Sequence, residues 1–163
     1  MNIYKIFTDM RKLPKGFIID NPHDLIYTNF KLSNKILNII NTNTDKVFFT
    51  RLSIKHLSEK QEQGEYIIKK IRDILSDPDK IFLGNFYNRF LITKNVKFNN
   101  DYKNHIVNIE ITKENKNIII TGFIARKSYF KNLKLLWGAA PTPSQLFKKR
   151  IGGSSRFSAL REV

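Results

Sequence analysis

The feature that most constrains this chain is a switch of hydrophobic period at Asp77-Pro78-Asp79. Upstream, Ile67, Ile68, Ile71, Ile74 and Leu75 recur at the spacing of one helix face, while Lys69, Lys70, Arg72 and Asp73 fill the other. Proline ends that helix because it lacks an amide proton and its ring collides with the preceding turn. Downstream, Ile106, Asn108, Glu110 and Thr112 alternate with Val107, Ile109 and Ile111, the period of a strand with one wet and one buried face. Four β segments are expected: Lys80 to Leu83, Arg89 to Thr93, His105 to Thr112 and Asn117 to Ala125. They are separated by Gly84-Asn85, Asn99-Asn100-Asp101 and Glu114-Asn115-Lys116-Asn117, turn chemistries suited to antiparallel hairpins. A meander with helices packed on one side, an α+β domain, follows.

The segment before the long helix reads as a strand leading into a helix. Lys46-Val47-Phe48-Phe49-Thr50 is rich in β-formers, and Ser53 is a good N-cap for a helix carrying Ile54, Leu57 and Glu59; the second helix follows Gly64. Ile3 to Phe7 and Gly16 to Asp20 are short apolar pieces, each a strand or a buried loop, broken by Pro14 and Pro22. Ser33 to Ile40 fits one short helix.

At 163 residues the chain accommodates one core. The expected division is an N-terminal extension over 1–45, a core over 46–138 and a basic, flexible tail over 139–163, where Pro141, Pro143 and Gly152-Gly153-Ser154-Ser155 interrupt any pattern. There are 29 Lys and Arg against 14 Asp and Glu, a net charge of +15. Polyanions are the natural partners of such a surface, because each neutralised phosphate releases condensed counterions. From Phe123 onward nine basic residues face one acid, so more than half of the excess lies in the last quarter. No stretch has the roughly 18 apolar residues of a membrane span, and the N-terminus lacks a signal peptide's apolar core. The cytoplasm is the expected place of work, of the producing cell or of one it is delivered to. With no cysteine, disulfides, thiolate metal sites and thiol nucleophiles are excluded.

Only His23, His56 and His105 remain for imidazole chemistry. His56 lies in a helix beside Lys55 and near Arg51, a cationic setting that favours the neutral imidazole, the form able to take a proton from a ribose 2′-hydroxyl. An exposed helix histidine is the plainer account. Thr121 interrupts the apolar run Ile118-Ile119-Ile120 and precedes Gly122, where a hydroxyl can meet a phosphate oxygen; strand propensity explains it equally well. Arg126-Lys127-Ser128-Tyr129-Phe130 combines cations, a hydroxyl and aromatics suited to single-stranded nucleic acid. Tyr129, Phe130, Leu133, Leu136 and Trp137 also have the spacing of a short helix's packing stripe. Lys148-Lys149-Arg150 adds a basic cluster in the tail. Pro78-Asp79 with Glu110 and Lys113 has two residues between acid and lysine, where a metal-dependent nuclease pattern needs one. No metal and no cofactor are expected.

The order of parts, Ser53-Ile54-Lys55-His56-Leu57 in a helix, a helix ending Ile74-Leu75-Ser76-Asp77-Pro78-Asp79-Lys80-Ile81, then hairpins ending Ile119-Ile120-Thr121-Gly122-Phe123, resembles the barnase/EndoU/colicin/RelE superfamily of ribonucleases (BECR-like), in its phage and polymorphic-toxin branch. The resemblance covers about Lys46 to Trp137. It implies N-terminal helices on a four-stranded antiparallel sheet, and metal-independent RNA cleavage by 2′-hydroxyl attack giving a 2′,3′-cyclic phosphate and a 5′-hydroxyl. It further implies a site of His56, Lys55 and Thr121. The expected roles are His56 as general acid/base, Lys55 and Arg126 as stabilisers of the pentacoordinate phosphate and Thr121 as a positioning hydroxyl, with Arg51 as the alternative stabiliser. Where relatives carry a second basic group along the helix, this chain has Lys60 and Gln61. RNA is the implied partner, and a toxin would also require an acidic protein inhibitor. A non-catalytic RNA- or DNA-binding protein is the alternative.

Overall fold

The structure, a computed structural model, describes residues 2–138. In chain order the elements are α1 (Ile3–Arg11), β1 (Leu25–Lys31), α2 (Asn34–Leu37), β2 (Lys46–Thr50), α3 (Arg51–Ser58), α4 (Gln61–Ser76), β3 (Lys80–Leu83), β4 (Arg89–Phe98), β5 (Asp101–Ile111), β6 (Asn117–Ala125) and β7 (Leu135–Gly138), with a 3-10 turn at Lys127–Phe130. The fold is α+β, but the four-stranded antiparallel sheet expected from the resemblance is not what forms. A seven-stranded mixed sheet runs in the order β1-β2-β6-β5-β4-β3-β7, and β2 lies parallel to β6.

The expected meander is present as β3 to β6 and the expected strand at Lys46 to Thr50 as β2, but the two edge strands, β1 and β7, were not expected. Leu25 to Lys31 alternates exposed and buried residues and pairs with β2 as an edge strand. Leu135 to Gly138, expected as part of a helical stripe, pairs with β3 at the opposite edge. The β4–β5 hairpin also runs further toward its turn than the expected Arg89 to Thr93 and His105 to Thr112. Polar residues Asn95, Lys97, Lys103 and Asn104 continue the ladder to a two-residue turn, where Asn99 adopts φ 59°. At the N-terminus the expected strand or loop at Ile3 to Phe7 is instead α1, capped by the Asn2 side chain and burying Ile3, Phe7 and Met10. Gly16 to Asp20 forms no regular element, and Ile18 is 90% exposed.

One apolar core lies between the helices and the sheet, with Phe7, Ile36, Ile54, Ile67, Ile71 and Ile74 facing Val47, Phe49, Ile92, Val107, Ile109 and Ile119. A smaller cluster of Phe82, Leu91 and Ile106 occupies the other face. From Ala125 the chain crosses that face as a strap, laying Phe130, Leu133 and Leu135 over the cluster before becoming β7. The Phe82 and Phe130 rings stack with centroids 4.7 Å apart.

The parallel pairing has a specific cause. Asn117, fully buried at the start of β6, donates from its amide nitrogen to the carbonyls of Thr44 and Lys46, both at 2.8 Å. Its Oδ1 accepts from the Thr42 hydroxyl at 2.7 Å. These bonds hold the loop that feeds β2 alongside β6. Replacing Asn117 with Ala removes a donor from two carbonyls and an acceptor from the Thr42 hydroxyl, and about 2–3 kcal/mol of stability should be lost in urea titration.

His105 on β5 is fully buried; its Nδ1 lies 3.0 Å from the Lys103 carbonyl and its Nε2 has no partner. Burial holds its pKa below the ordinary 6.5, aided by the nearby Lys70 ammonium and opposed by the Lys103 carbonyl. The folded protein therefore keeps the ring neutral where the unfolded chain binds a proton. Its contribution is intact above about pH 6.5 and is lost as the pH falls below that. The urea midpoint should drop between about pH 7.5 and 5.5, and His105→Leu should flatten that part of the profile.

Candidate nucleic-acid site

α3 begins where β2 ends, because Thr50 leaves the strand and caps the helix. Its hydroxyl accepts from the Ser53 amide at 3.0 Å, and the Ser53 hydroxyl accepts from the Thr50 amide at 2.9 Å. The expected cap at Ser53 is thus the third helical position, and Lys55 and His56 fall in the last turn. α3 is short. At Gln61 the backbone turns to φ 50° and α4 starts, three residues before the expected Gly64. Gly64 is needed there because a Cβ would run into the Leu57 carbonyl oxygen.

β2 pairs with β6 only over Asn117 to Ile119, so β6 runs on past it without a strand neighbour on that side. α3 and α4 fill the gap. The Gln63 Oε1 accepts from the Ile124 amide at 3.3 Å, and the Lys60 Nζ lies 5.7 Å from the Phe123 ring centroid. Gly122 allows this approach, since a Cβ there would stand 2.5 Å from Cγ2 of Ile67. Burial holds the Lys60 pKa below that of a free lysine.

A β-bulge decides which way Thr121 faces. Ile109 pairs with Ile119 and Asn108 with Thr121, so Ile120 is the extra residue. Asn117 and Ile119 point to the helices, but after the bulge Gly122 takes that side and Thr121 turns to the opposite face. Its hydroxyl makes no hydrogen bond among the described residues. Neither does the buried Oδ1 of Asn108 opposite it.

The expected site residues separate into three groups. Lys55 is 1% exposed, pairs with Glu59 and donates to the Pro14 carbonyl at 3.1 Å, so it serves the fold and does not face a phosphate. The Lys55 ammonium and the Gly16 amide hold the Glu59 carboxyl below its ordinary pKa. Arg51 is likewise committed, donating from Nε to the Asp20 carbonyl at 3.0 Å. The expected cationic setting of His56 is therefore turned toward the N-terminal segment. His56 itself is exposed, and no described side chain hydrogen-bonds its ring.

Arg126, Lys127 and Ser128 are exposed just beyond β6, and Tyr129 sits edge-on to Phe123 at 5.2 Å. His56 and Thr121 lie on elements that pack against each other, α3 and β6. Lys60, one turn beyond His56, is the group that reaches round the edge; its spacing from His56 was the available signal. Lys148, Lys149 and Arg150 lie outside the described residues. Among the described residues no three His, Asp or Glu gather as they would to hold a metal ion, and no helix is long and apolar enough to cross a membrane.

Compared with known protein families, curated proteins and solved structures, the chain matches none. The close approach of α4 to β6 is testable. Gly122→Ala should cost about 2 kcal/mol by overpacking. Ile67→Ala should cost at least about 1 kcal/mol less in that background than alone, measured by urea denaturation of the double-mutant cycle.

Proposed function

We propose that the chain is a metal-independent endoribonuclease whose site lies along the free edge of β6. The observation that supports this reading is the wrapping of α3 and α4 round that edge, which brings the helix of His56, the half-buried Lys60 and the strand of Thr121 to one place. In the proposed step, neutral His56 takes the proton of a ribose 2′-hydroxyl as that oxygen bonds to the adjacent phosphorus. The bond from phosphorus to the 5′-oxygen breaks, and the Lys60 ammonium supplies the proton that the departing oxygen takes up. Lys60 suits that role because desolvation makes its proton easier to give than a free lysine's. Thr121 donates to a phosphate oxygen, and Arg126 offsets the developing negative charge. Lys55 has no part in this scheme.

A non-catalytic RNA- or DNA-binding protein is the second reading. It is favoured by one feature, the lack of a described partner orienting the His56 ring. One assay separates the two. Incubated with single-stranded RNA in excess EDTA, the wild type should yield ends bearing 2′,3′-cyclic phosphate. His56→Ala and Lys60→Met should each lower the rate by about 100-fold or more. Full activity in His56→Ala sinks the site, and loss of cleavage on adding EDTA sinks the mechanism. Salt-dependent binding with the RNA left intact selects the second reading.

A further inference from the structure

The strap leaves part of the helix-free face of the sheet uncovered, and a single transverse row of side chains crosses it. Tyr27 on β1 pairs with Phe48 on β2, Phe48 with Ile118 on β6, Ile118 with Glu110 on β5, and Glu110 with Arg89 on β4. Five adjacent strands at roughly 4.8 Å spacing make this row about 19 Å long. Tyr27 is 46% exposed, and its ring meets Phe48 at 5.5 Å between centroids. The Lys116 ammonium lies 5.5 Å from the Phe48 centroid. At the far end the Arg89 guanidinium lies 4.8 Å from the centre of the 57% exposed Phe86 ring. The one acid of the row, Glu110, is paired with Arg89 at 3.0 Å, so the row itself carries no unbalanced negative charge.

We propose that this row is a stacking platform for single-stranded nucleic acid, built from the β1–β2 addition to the sheet. The exposed Tyr27 ring and the half-buried Phe48 ring, with the Lys116 ammonium beside them, recognise the two parts of such a strand, bases by stacking and phosphates by charge. A flat sheet face of this length takes about two or three splayed bases, whereas paired bases inside a duplex present no ring face to it. The next row begins with Thr121 and the unpartnered Asn108, so a strand lying on Tyr27 and Phe48 continues to the edge proposed for cleavage. The inference rests on the nucleic-acid reading of this site and names the form of its substrate.

The probe is a fluorescein-labelled 2′-O-methyl RNA of about a dozen nucleotides, whose blocked 2′ position prevents the proposed cleavage, compared with the same sequence as a duplex by fluorescence anisotropy. The wild type should bind the single strand more tightly than the duplex. Tyr27→Ala and Phe48→Leu should each weaken single-strand binding by roughly tenfold and leave duplex binding unchanged. Lys116→Ala should lower the salt slope by about one counterion's contribution. Tyr27 is exposed and Phe48→Leu stays apolar, and equal urea midpoints verify that both variants fold. Wild-type affinity in folded Tyr27→Ala and Phe48→Leu overturns the platform while leaving RNA binding in place. A wild type that binds neither probe overturns both the platform and the nucleic-acid reading.

Discussion

The buried amide of Asn117 is the interaction on which the rest of the arrangement depends. A parallel strand pair has no hairpin to hold its register, so the loop feeding β2 must be tied by other means. Asn117 does this with three hydrogen bonds to Thr42, Thr44 and Lys46. With β2 fixed beside the first residues of β6, Thr50 falls where it caps α3, and α3 and α4 occupy the edge that β2 leaves open. The candidate site is therefore a consequence of where a short parallel strand stops.

The parts legible in the sequence were those specified by local repetition. The stripe from Ile67 to Leu75 and the alternation from Ile106 to Thr112 gave α4 and β5 directly, and β3 and β6 followed from turn chemistry. What stayed hidden depends on distant partners. Tyr27 to Phe30 has no strong alternation of its own and becomes a strand because β2 offers it a ladder. Leu135 to Gly138 carries helix-like spacing, yet the edge of β3 claims it. The four-stranded expectation failed on these additions and on the parallel β2.

For the site, the packing of the helix of His56 on the strand of Thr121 was expected only from a resemblance, and the fate of Lys55 was not legible at all. A lysine after Ile54 reads as a surface residue; it is buried because the Pro14 carbonyl folds back to accept its hydrogen bond and Glu59, one turn on, balances its charge. The face of Thr121 was hidden for another reason. Strand parity counted from Ile119 would place Thr121 under the helices, and only the extra residue Ile120 reverses it. Net charge misleads in the same way: of the cations flanking His56 in sequence, Arg51 and Lys55 are spent on backbone carbonyls, whereas Lys60 projects to the other face of the sheet.

The strap carries a consequence for the order in which the chain is made. β7 closes the far edge of a sheet whose other strands all precede it, and the residues that roof Phe82, Leu91 and Ile106 follow β6. A chain made only as far as β6 thus leaves this second apolar cluster bare to water, and its helix-side core still lacks Leu136 and Trp137. That interval is when β3 presents an unpaired edge next to exposed phenylalanine, the condition under which partly made domains associate with one another. Translation through the strap ends the exposure from both directions, covering the cluster and pairing the edge with a single short segment.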